Sequence, residues 1–324
     1  MGVIFNYNGK FHKSRKSTFD KASRAMFALL GKSRSLNLPI DIQLQLFDVL
    51  IVPILLYGSE AWSYENCEII EKLHLRYCKY VLGVNSSTYR NMVYGELGRT
   101  PLSIEMKTRT VTFWARLISG EQSKLSAIIC RLLYNLDASG FYSSPWLLYV
   151  KQLLNESGFS HVWINQNTGC SVDLFKKRFK QRIYEQYLQT WSSEIFNSPK
   201  CKNYRMYKTE LSYERYLNVL PTCSRRILTR FRCRNHKLPI EIGCYYNIER
   251  NLRTCSVCNS QDVGDEFHYL FNCTYLRSAR RKYLPNYCQN NPSAVKFSSL
   301  MNADNENIMQ NLVKMIKSIN NAVQ

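Results

Sequence analysis

The stretch Cys255-Ser256-Val257-Cys258, followed by His268 and then Cys273, organises the reading of this chain. As a pattern it is C-x2-C-x9-H-x4-C, in the order Cys, Cys, His, Cys. A Cys-x-x-Cys turn sets two sulfurs on one metal, and zinc favours a tetrahedron of thiolate and imidazole ligands. His268 and Cys273, a little more than one helical turn apart, supply the second pair. Between the pairs, Asn259-Ser260-Gln261-Asp262-Val263-Gly264 is a polar loop able to turn the chain back. Phe267, Tyr269, Leu270 and Phe271 flank the second pair with apolar surface. So short a segment cannot bury enough apolar area unaided, and a metal core makes up the difference. With all four positions taken, the expected Zn2+ is structural and leaves no open coordination site for chemistry.

Around this stretch lies a strongly basic chain of 324 residues with a formal net charge of +20. That excess points to a polyanion, nucleic acid first, as partner. A hydrophobic fraction of 45% and an aromatic fraction of 13% allow real cores, and the length suits two or three packed units. Val3-Ile4-Phe5 turns polar too quickly for a secretory leader, and the run Leu46 to Tyr57 contains Asp48 and Pro53. No membrane partner is expected. The cysteines outside the cluster read as reduced, buried thiols, which fits nucleus or cytoplasm.

The periodicity is helical almost throughout, so the fold class expected is mainly α. The exception is Val3-Ile4-Phe5-Asn6-Tyr7-Asn8-Gly9-Lys10-Phe11, where an Asn-Gly turn between apolar residues predicts a β-hairpin. A lone hairpin is marginal in water, which implies a partner sheet outside this chain. Phe19, Ala22, Met26, Phe27 and Leu30 mark a first helix, with Gly31 as its expected end. Pro39 opens a second helix that Pro53 should kink. A third begins near Glu65 and stops at Gly83, and Thr100-Pro101 opens a fourth. From these signals we divide the chain into a hairpin remnant (1–12), a helical bundle (13–133), a helical linker (134–250), a zinc knuckle (251–285) and a helical tail (286–324).

Three basic runs are candidate nucleic-acid contacts. Lys176, Lys177 and Arg178 lie on a predicted helix. Arg225, Arg226, Arg230, Arg232, Arg234 and Lys237 follow within a few turns, with no acid until Glu241. Arg277, Arg280, Arg281 and Lys282 come directly after the knuckle. Cations interleaved with aromatics suit phosphate contact and base stacking, although Phe231 by itself is read as packing inward.

Several segments resemble the region following the palm in reverse transcriptases of non-LTR (LINE-type) retrotransposons. They are Leu46 to Trp62, Met92 to Arg99 and Phe113 to Leu117, and then Arg230 to Glu241 leading into Cys255, Cys258, His268 and Cys273. The resemblance implies that the bundle is a thumb gripping a template–primer duplex, that 134–250 is its linker, and that the knuckle and tail hold RNA or DNA. It also implies a polymerase palm upstream, with Met1-Gly2-Val3 falling inside its last element, so that the chain is the truncated carboxy-terminal part of such an enzyme.

The departure from that family lies in the catalytic residues. Two-metal polymerases need clustered aspartates, and no Asp-Asp pair occurs here. Asp41 and Asp48 read as solvated carboxylates, and nothing resembles the family's endonuclease. The chain is therefore expected to be inactive alone while binding zinc and nucleic acid. Two other readings stay open: a non-catalytic subunit completing a separately encoded, palm-containing chain, and a scaffold whose zinc module binds protein.

Overall fold

A computed structural model describes residues 2–323. Its described residues are 67% helical, in 17 α-helices and a few shorter turns, with two isolated β-bridges in place of any sheet. None of these helices is long and apolar enough to cross a membrane.

The N-terminal hairpin is corrected. The turn forms, with Gly9 at φ 70° donating its N–H to Asn6 O at 3.0 Å, but no strands flank it. Asn6 Nδ2 donates to Lys10 O at 2.6 Å and Asn8 Oδ1 accepts from Lys10 N at 3.1 Å, so side chains use the groups a ladder needs. Phe5 and Tyr7 are exposed. Without a buried face, the alternation has nothing to hold it in register.

The chain divides into two compact units. One contains the described residues up to Leu38, with Ile42–His74 and Thr100–Gln189; the other contains Pro39–Asp41, Leu75–Arg99 and the chain from Thr190 onward. Each draws on distant segments, which local periodicity does not reveal.

In the first unit, helix His12–Ser35 runs through Gly31, because its buried stripe (Met26, Leu29, Leu30, Ser33) continues past that residue. It ends instead near Asn37, at φ 49°. Before Pro53 the helix widens into one five-residue turn, Phe47–Ile51, and then resumes as Val52–Leu55. Proline lacks the N–H and crowds the carbonyl four residues back, and the wider turn relieves both. The unit's core is apolar and aromatic. Helix Ser103–Ser119 buries Ile104, Val111, Trp114 and Ala115 on one face, and Trp114 stacks on Trp163 at 5.8 Å. The buried threonines on that helix are satisfied locally: Thr108 donates to Ile104 O at 2.7 Å and Thr112 to Thr108 O at 2.6 Å. Helix Val172–Asn197 carries Phe175, Phe179 and Ile183 into the same core.

The second unit is built on its last helix, Glu306–Val323, whose Met309, Leu312, Val313, Ile316 and Ile319 are buried. Against it pack helix Thr222–Arg232, helix Arg277–Tyr283 and the turn His268–Asn272. This brings two of the basic runs and half of the cysteine–histidine motif to one scaffold. Gly83 ends helix Glu68–Leu82 as expected, at φ 68°, with Val84 N bonded to Lys79 O at 3.1 Å.

Candidate metal centre and its basic surround

The four motif residues come together. One ligand atom from each of Cys255, Cys258, His268 and Cys273 lies within 4.8 Å of all the others. The backbone explains why. Cys255 N donates to Asp262 O at 2.9 Å and Gly264 N to Arg253 O at 2.8 Å, with Thr254 bridging to Val263, so the polar loop folds back tightly on itself. A Cβ on Gly264 would stand 3.1 Å from both Cys255 Cα and Thr254 O, a space that suits glycine. Asp265 Oδ1 then accepts from His268 N at 3.0 Å and starts the following turn. That turn is one residue wider than an α-turn: Cys273 N donates to His268 O at 2.9 Å, which returns the last cysteine to the histidine.

The spacing suits a single ion. Cys255 Sγ and Cys273 Sγ are 4.0 Å apart, and Cys258 Sγ is 3.3 Å from His268 Nε2. Metal–ligand lengths of about 2.3 Å to sulfur and 2.0 Å to nitrogen give tetrahedral edges of about 3.8 Å and 3.5 Å. All four thiol and imidazole donors are free of disulfides, and only Cys258 is less than buried. His268 Nδ1 is buried without a hydrogen-bond partner, and Asp262 Oδ2 lies 3.4 Å from it. An ion on Nε2 fixes the proton on Nδ1, where a carboxylate beyond it orients the ring. Burial opposes charge on the Cys258 thiol, but hydrogen bonds from Ser260, Cys255 and His268 outweigh it and bring the group down to about 6. Burial pushes Cys273 up to about 12. A thiol held so high becomes a thiolate when a cation sits beside it. The four residues can hold one metal ion, and the donor set fits a closed site.

The arginines expected to face nucleic acid divide sharply. Arg232 is 1% exposed. Its guanidinium donates to Glu96 at 2.8 and 3.1 Å, to Glu214 at 2.9 Å and to Met301 O at 2.7 Å, and it lies between the rings of Tyr207 and Tyr216. Arg234, at φ 54°, turns inward just past the helix end and pairs with Glu241 at 2.9 Å, also donating to Lys200 O at 3.0 Å. Arg280 is buried and braces the turn that ends at Cys273, donating to Leu270 O at 2.7 Å and Cys273 O at 2.9 Å. These three are corrected from candidate contacts to internal supports, because every buried guanidinium needs partners for its donors.

The remainder stay at the surface. Arg226 and Arg230 are exposed one turn apart, with Arg230 Nε donating to Gly83 O at 2.8 Å, and Arg225 is half-buried with a bond to Leu217 O at 2.9 Å. Lys237, Arg277, Arg281 and Lys282 are exposed. In the first unit, Lys177 and Arg178 are exposed and Lys176 is half-buried; the neighbouring Lys180 pairs with Glu105 at 2.9 Å. Phe231 packs inward as read from the sequence.

The basic segment and the metal cluster are joined. Glu266, two residues before His268, is buried and accepts from His236 Nε2 at 2.8 Å and from Asn203 Nδ2, and it lies 3.7 Å from Arg234. Burial pushes the Glu266 carboxyl up, but the hydrogen bond and charge of His236 and the charge of Arg234 bring it down to about 2. Ile240 N also donates to Gly264 O at 3.2 Å. None of these long-range partners is visible from the motif's own spacing; the one signal in the sequence is an acid, Glu266, two residues before His268.

No protein-family model, curated protein or solved structure matches this chain.

Proposed function

We propose that this chain is a zinc-stabilised nucleic-acid-binding protein of the kind found after the palm in LINE-type reverse transcriptases. The supporting observation is the direct tie between cluster and basic loop. Glu266 and Gly264, within the knuckle, hold His236, Arg234 and Ile240, and so set the position of Lys237 and of the helix bearing Arg226 and Arg230. The metal supplies folding energy to this arrangement and no chemistry of reaction. The absence of an Asp-Asp pair in the sequence supports binding without strand extension by this chain alone.

The test is the salt dependence of binding to a single-stranded oligonucleotide. Each phosphate contact contributes roughly 0.7 to the log–log slope. The triple variant Arg226→Ala, Arg230→Ala, Lys237→Ala should flatten the slope by about 2 while leaving metal content unchanged. Equal slopes in parent and variant defeat the reading.

A second reading, association with a palm-containing chain, draws on one observation. Helix Leu125–Ala138 leaves Leu125, Ile128, Ile129 and Leu132 exposed, more apolar surface than a free helix face ordinarily shows. Reconstitution with such a chain should then require these residues, and alanine or serine substitution of all four should abolish it.

A further inference from the structure

The second unit holds a cavity of about 470 Å³ that the metal centre does not use. Asn85, Thr88 and Tyr89 line it from the turn before helix Arg90–Leu97, Arg230 from helix Thr222–Arg232, and Lys237 and Tyr245 from the two ends of the segment leading through helix Pro239–Tyr245. Its size is that of a pocket for a compact organic ligand.

The charges in it are unbalanced. Four cations, Lys200, Arg230, Arg234 and Lys237, face one carboxylate, Glu241. Arg234 already holds Glu241 at 2.9 Å, which leaves Lys200, Arg230 and Lys237 in excess. Arg230 spends only its Nε, on Gly83 O, and keeps both terminal nitrogens for an anion. The pocket also has polar groups awaiting partners. The Thr88 hydroxyl is buried without a hydrogen bond, a state that costs free energy until something bonds to it. Asn235 Oδ1 is fixed by Asn85 N at 3.1 Å, and this leaves its amide hydrogens to offer. Ile227, Ile242 and Tyr245 line the same pocket, and the Tyr245 ring is 64% exposed with its hydroxyl 3.5 Å from Ser87 Oγ. Excess cations, unspent amide and hydroxyl groups and an open aromatic face are together the recognition chemistry of a nucleotide.

We propose that this pocket seats one unpaired nucleotide of a strand, its base on Tyr245 and its phosphate on Arg230, Lys237 and Lys200. A strand is favoured over a free nucleotide because Arg226, one turn before Arg230 on the exposed face of the same helix, continues the cationic track outside the pocket. The proposal rests on the nucleic-acid reading above and adds to it a preference for single strands and a place where that preference is made.

The experiment uses the full metal-loaded chain with a 12-nucleotide RNA carrying one 2-aminopurine, free or annealed to its complement. Tyr245→Ala should weaken single-strand binding about 10-fold and abolish quenching of the 2-aminopurine, with duplex binding changed less than about twofold. Tyr245→Phe, which keeps the ring, should bind as the parent does, and Lys237→Ala should weaken single-strand binding about fivefold. Adenosine monophosphate at micromolar concentration should displace nothing; displacement there would replace the strand by a free nucleotide and overturn the proposal. Loss by Tyr245→Ala of the same factor on both forms, or of nothing, overturns the pocket while leaving the nucleic-acid reading in place. Failure of the parent to bind either form overturns both.

Discussion

In the unit that contains Trp114, the interior is apolar: Trp114 on Trp163, Phe175 beside Phe179, Leu147, Val150 and Leu154 filling between them. In the unit that contains the cysteine cluster, the interior carries the guanidiniums of Arg232, Arg234 and Arg280, the carboxylates of Glu96 and Glu266, and four metal-type donors. The first gains its stability from area removed from water. The second adds to its apolar core paired charges and a cluster that can hold an ion, and each of these fails abruptly when one member is lost. The lesson concerns cations: in a chain this basic, where an arginine goes depends on which face of its helix it occupies and whether an acid waits there.

The largest break in this comparison should come from metal removal. Structural zinc in small modules is worth on the order of 10 kcal/mol, so a chelator should open the stretch 251–285 to protease. Trp62, Trp114, Trp146 and Trp163 lie in the other unit and should keep their native emission. Loss of both signals together would show that the units do not differ in this way.

Next in size is Arg232→Ala, which removes the guanidinium paired with the buried Glu96 carboxylate, while Glu214 keeps Lys208, and should cost roughly 3–5 kcal/mol. Denaturant unfolding checks it, and Arg232→Met combined with Glu96→Gln should recover part of the loss. An Arg232→Ala protein as stable as the parent would return that residue to the surface.

Leu154→Ala in the apolar core should cost roughly 2–5 kcal/mol in the same measurement, and it should leave metal content and nucleic-acid affinity untouched. The smallest effect is that of Arg226→Ala, which is expected to change stability by less than about 0.5 kcal/mol. A large loss from this exposed residue would mean it braces the fold as Arg232 does.

Much of this was legible in the sequence. The helical class, Gly83 as a stop, the perturbation at Pro53 and the grouping of Cys255, Cys258, His268 and Cys273 all follow from local spacing. The N-terminal ladder was not legible, because an Asn-Gly turn forms whether or not strands follow. Nor was the interior place of Arg232. Its spacing from Leu228 puts it on the buried face of helix Thr222–Arg232, but the acid that makes burial tolerable, Glu96, lies 136 residues away. Arg226 and Arg230 share a face as their four-residue spacing requires, whereas Arg234 departs from it because the helix ends at Arg232. A charge run shows that cations are dense; only the tertiary partners show which of them are free.

The central claim is that Cys255, Cys258, His268 and Cys273 hold one structural zinc ion that organises the basic surface. Elemental analysis of the purified chain and of its Cys258→Ser variant tests it directly. The account predicts one equivalent of zinc in the parent and close to none in the variant; a parent without zinc, or a variant that keeps the full equivalent, would contradict it.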